Sequence, residues 1–69
     1  MKRAEIMVRL RAQTTAMAQT AVRLDYYDHA TPEHARQAES AIVVHRNAMR
    51  SAIDKARGFL NMLEGTLNA

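Results

Sequence analysis

Sixty-nine residues make one small domain, a size at which a single-chain core seldom supplies more than about 3–5 kcal/mol of net stability. The usual supplements are disulfides, a metal or a second subunit. With no cysteine, disulfides and thiolate zinc sites are excluded and oligomerisation becomes the expected supplement.

The net charge of +3 is segregated along the chain. Residues 1–24 carry Lys2, Arg3, Arg9, Arg11 and Arg23 against Glu5, while residues 25–39 carry Asp25, Asp28, Glu33 and Glu39 against Arg36. An acidic island therefore sits inside a basic protein. The opening "MKRAEIMVRLRAQ" has the basic start of a signal peptide, but Arg9 and Arg11 interrupt its apolar run. No later run is long enough to span a bilayer, so the expectation is a soluble, cytoplasmic chain with no membrane partner.

In chain order, the spacing predicts a helix over about 3–27, a turn over 28–31 and a second helix over about 32–64. Pro32 is the only proline, and "TPEH" reads as a helix start with Thr31 as N-cap, Pro32 in the first helical position and Glu33 near the positive helix end. The first helix places Met7, Leu10, Thr14, Met17, Ala21 and Leu24 at alternating steps of three and four. The second continues the pattern with Ala35, Ala38, Ile42, His45, Met49, Ala52, Ala56, Phe59 and Leu63.

Folding these seams together about the turn predicts an all-α antiparallel two-helix hairpin. Its pairs are Leu24 with Ala35, Ala21 with Ala38, Met17 with Ile42, Thr14 with His45, Leu10 with Met49 and Met7 with Ala52. In that register Phe59, Leu60, Met62, Leu63 and Leu67 overhang the hairpin. Ile53, Val43 and Val44 widen the apolar surface of the second helix further. All eight are expected at a homodimer interface that builds a four-helix assembly.

Several residues invite chemical readings. Asp25 and His29 share a helix face, and the turn brings Glu33 or His34 near, so nitrogen and oxygen ligation of zinc is conceivable; turn chemistry is the preferred account, and no metal or cofactor is expected. His45 is the one ionisable seam residue and is read as a register device hydrogen-bonded to Thr14, not as a proton acceptor. "MRSAIDKARGFL" resembles the helices of all-helical chorismate mutases. The chain holds no nucleophile beside a base, however, and no enzymatic activity is expected.

Two binding surfaces remain. Of the consecutive tyrosines only one can face the seam: Tyr27, three residues after Leu24, is expected to cap the core, leaving Tyr26 exposed between Asp25 and Asp28. An amphipathic ring with an acidic rim suits protein docking, so Asp25, Tyr26 and Asp28 are the candidate partner-binding residues. Alternatively, the predicted hairpin sets Arg9 and Arg11 level with Arg46 and Arg50, a cluster suited to RNA or DNA. That version resembles the plasmid copy-number regulator Rop, a helical-hairpin dimer that binds paired RNA loops.

A short, cysteine-free, arginine-biased hairpin with uncovered apolar surface resembles the small host-takeover proteins of bacteriophages. In length and predicted form it is similar to the phage-encoded quorum-sensing anti-activators. That resemblance implies a non-enzymatic inhibitor that sequesters a host transcription activator and keeps it from DNA, with a pilus-assembly ATPase as a further target. The acidic "DYYD" suits such a partner.

Overall fold

The structure is a computed structural model and describes residues 1–68. It is all-helical, with α1 over Arg3–Asp28, α2 over Pro32–Gln37 and α3 over Glu39–Leu67, and no strand among the described residues. The two long helices pack side by side in a rod of 54 × 14 × 13 Å.

Local chemistry sets the break after α1. His29 ends it, its backbone N–H bonded to the Asp25 carbonyl at 3.2 Å, and the Ala30 N–H closes on Tyr27. Thr31 then restarts the chain as expected: its side-chain oxygen accepts from the His34 N–H at 3.2 Å, and Pro32 supplies a preset φ at a position with no helical donor to lose. The reversal needs no left-handed backbone.

The second predicted helix is divided at Ala38 into α2 and α3. Ala38 adopts φ −95° and ψ 10°, so one residue leaves helical geometry while its carbonyl still accepts from the Ile42 N–H at 3.0 Å. No glycine or proline lies between Pro32 and Gly58, so the break is a tertiary decision.

The seam of the second half is as the spacing predicts. Ala52 and Ala56 are buried, and Ala35, Ala38, Ile42, His45, Met49, Phe59 and Leu63 are all half-buried. In α1 the prediction is half right. Leu10, Met17 and Leu24 lie on the seam, but Met7, Thr14 and Ala21 are exposed, and Ile6, Gln13 and Thr20, each one residue earlier, take their place. Ile6 is the best buried side chain among the described residues, 2% exposed.

The predicted pairing is also corrected. Arg3 bonds to Thr66 at one end, and Tyr27 stacks on His45 at the other. Continuing between these anchors in steps of three and four brings Ile6 level with Leu63, Leu10 with Phe59, Gln13 with Ala56, Met17 with Ala52 and Leu24 with His45. His45 thus lies opposite a residue ten places beyond Thr14, a slip of roughly 15 Å along the axis. The Thr14 hydroxyl instead donates to the Arg11 carbonyl at 3.0 Å.

Burial decides between the two registers. The predicted one leaves Phe59 and Leu63 without an intramolecular partner. Full burial of such side chains is worth about 1.5–3 kcal/mol each, so even half-burial recovers about 1 kcal/mol apiece. The cost is Gln13 and Thr20 on the seam, and no buried side-chain polar atom among the described residues is left unpaired. Phe59 and Leu63 therefore do not overhang, whereas Leu60, Met62 and Leu67 remain exposed.

Candidate functional site at the turn

The end of the hairpin nearest the turn is organised by aromatic rings. Tyr27 lies between two imidazoles, stacked on His34 at 6.2 Å and on His45 at 6.1 Å, and so ties all three helices together. It leans toward the N-terminal side of its own helix, as helical side chains do, and so meets His45. Tyr26 packs its edge against Tyr27 at 5.3 Å and against His34 at 6.0 Å, yet is 62% exposed. Adjacent tyrosines thus divide the work: one closes the core, the other presents a braced ring to solvent.

A shallow open groove runs beside Tyr26, lined by Asp25, His29, Ala30, Thr31 and His34. His29 Nδ1 lies 2.9 Å from the Asp25 carbonyl oxygen and 3.6 Å from its carboxylate. A carbonyl can only accept, so Nδ1 carries the proton. That backbone bond first, then the negative charge of Asp25 and Asp28, raises the His29 pKa above its ordinary 6.5. Among the described residues no three histidine or carboxylate side chains come together as a metal-ligand set.

The sequence marked Asp25, Tyr26 and Asp28 as one surface, and the structure divides them. Asp25 sits at the Tyr26 groove, whereas Asp28 lines a separate cleft with Leu24, Tyr27, Ala35, Ile42 and Arg46. Sequence reasoning missed His34 as a stacking partner and misplaced His45. The signal for His34 lay in Thr31 and Pro32, whose capping geometry turns the first face of α2 back over α1.

The expected arginine cluster is pulled apart by the register. Arg9 and Arg11 stand level with residues 58–60, while Arg46 and Arg50 stand level with residues 19–23, so the two pairs are more than about 10 Å apart along the axis. Arg57 pairs with Asp54 at 3.9 Å, where both side chains are well exposed, and the contact adds little.

No helix among the described residues is long and apolar enough to cross a membrane. Comparisons with known protein families, with curated proteins and with solved structures return no match.

Proposed function

We propose that the chain is a non-enzymatic, protein-binding inhibitor that sequesters a host regulatory protein in the cytoplasm, acting as a homodimer. Its target is a quorum-sensing transcription activator kept from DNA, in the manner of the phage-encoded anti-activators it resembles in length and hairpin form. The observation that carries this reading is the Tyr26 ring, braced by Tyr27 and His34 yet 62% exposed, with Asp25 beside it in the same groove. A rigid aromatic anchor loses little conformational entropy on docking, and a carboxylate rim favours the basic surface that an activator turns toward DNA. The nucleic-acid alternative relied on four arginines at one level, and the register separates them.

Titration of purified activator into the protein, with release of activator from operator DNA as a second readout, tests the proposal. Tyr26→Ala and Asp25→Lys each weaken binding about tenfold or more, while Arg50→Glu leaves it near wild type. Equal affinity for all three variants, or retention of RNA with a steep salt dependence lost in Arg50→Glu, would overturn it.

A further inference from the structure

The two flanks of the hairpin, on either side of its seam, differ in chemistry. Because α1 and α3 run antiparallel, Met7, Thr14 and Ala21 of α1 share one flank with Ile53, Leu60 and Leu67 of α3. Asp28 and Arg46 continue that flank to the turn, where both line one cleft. The other flank carries Lys2, Arg9 and Arg23 from α1's side and Lys55 from α3, all exposed. Between them stand Ala16, Ala41, Ala48 and Met62, so this flank holds no carboxylate among the described residues. Of the ten lysines and arginines these four stand together here, and the others are nearly matched in number by seven carboxylates elsewhere. The surplus positive charge of the protein therefore belongs to one flank. The ion pairs among the described residues are His29 with Asp25 and Arg57 with Asp54, so no carboxylate there neutralises any of the four cations.

The register that pulls Arg9 and Arg11 away from Arg46 and Arg50 assembles this row. With Met17 level with Ala52, Lys55 stands level with Thr14 and so falls between Arg9 and Arg23. Lys2, Arg9, Lys55 and Arg23 then follow one another at roughly 10, 8 and 14 Å along the axis, a row of about 30 Å. It occupies more than half of a rod 54 Å long.

We infer that this flank binds the phosphate backbone of duplex DNA without reading its sequence. A line of unpaired cations matches a linear polyanion, and alanines between them let the phosphates approach while the long lysine and arginine stems reach over. The residues between the cations decide which polyanion fits. A bilayer takes up large apolar side chains from the face that meets it, and on this flank only Met62, near one end, is of that kind. A single strand stacks its bases on aromatic rings, and the flank has none. Duplex RNA is held through its 2′-hydroxyls as well as its phosphates, which calls for neutral hydrogen-bonding side chains that alanine does not supply. Phosphate contact alone is what DNA requires for binding that ignores sequence. This function is separate from the protein-binding role of the turn and does not rest on it.

Fluorescence anisotropy of a labelled random-sequence DNA duplex, titrated with the full chain over a series of salt concentrations, tests the inference. Four phosphate contacts give log affinity against log salt a slope of about −3.6, so affinity falls roughly 100-fold between about 50 and 200 mM salt. Arg9→Ala and Arg23→Ala each make that slope shallower by about one, whereas Arg50→Ala, exposed on the outer face of α3, changes it little. Far-ultraviolet circular dichroism of the three variants stays helical, since all three positions are exposed. A slope near zero, or a loss in Arg50→Ala equal to that in Arg9→Ala, would overturn the inference. Tighter binding to an RNA duplex of the same length, or to phosphatidylglycerol vesicles, than to the DNA would overturn it as well.

Discussion

The two ends of the hairpin are fastened by different chemistry. At the open end Ile6 is almost fully buried level with Leu63, and the Arg3 side chain bridges to the other helix, Nε to the Thr66 hydroxyl at 3.1 Å and Nη2 to its carbonyl at 3.2 Å. At the turn end no side chain is as deeply buried, and the joint is an aromatic stack with Tyr27 at its centre. The open end has no covalent connection between helices and must be held by packing. The turn end is already joined by the chain, so its side chains are free to present a ring outward. Fastening and display of the exposed Tyr26 ring are thus segregated to opposite ends, and the surface proposed for binding lies at the end that bears the lighter structural burden.

Substitutions at matched positions break this comparison in order of size. Ile6→Ala is expected to cost about 3 kcal/mol by urea denaturation, because the site is nearly fully enclosed and a methyl cannot refill it. Tyr27→Ala removes a larger side chain from a half-exposed site and should cost less, about 2 kcal/mol. Equal costs would mean that the ends are fastened alike.

The next effects are those of single polar contacts. Thr31→Ala removes the cap of α2 and should cost about 1 kcal/mol, while the Arg3 contact is exposed, so Arg3→Ala should cost about 0.5 kcal/mol. Amide hydrogen exchange localises each loss, the first to the turn and the second to the last turn of α3.

The smallest effect is that of His29. Its folded pKa is raised, so its contribution is fully present below about pH 6.5 and is lost as pH rises through the folded value. An NMR titration of the ring should therefore read above 6.5. Asp25→Asn should reduce the shift without abolishing it, because the leading cause is the backbone carbonyl, which that substitution keeps. A folded value at or below 6.5 would remove His29 from the turn's electrostatics.

The contrast between α1 and α3 shows how much of the fold could be read in advance. Every seam residue assigned from Ala35 to Leu63 is at least half-buried, because a regular apolar repeat there offers one consistent face. In α1 two interleaved stripes share Leu10, Met17 and Leu24. One is completed by Met7, Thr14 and Ala21, the other by Ile6, Gln13 and Thr20. Periodicity cannot choose between faces one residue apart, and the apolar content of the first made it look like the core. The candidate site was legible only where local chemistry governs it: the Thr31 cap, and the opposed directions of Tyr26 and Tyr27. The stacking of Tyr27 between His34 and His45 joins residues from three helices and leaves no trace in spacing.

The sequence by itself determined that the chain is helical, where α1 ends and α2 begins, and which face α3 turns inward. These follow from capping, propensity and a local hydrophobic repeat. Only the tertiary structure decided the register of the hairpin, the face of α1 that it uses and the break at Ala38. The first two depend on covering Phe59 and Leu63, residues more than forty positions from the side chains that cover them. That long-range demand freed Met7, Leu60 and Leu67 to form a second apolar face.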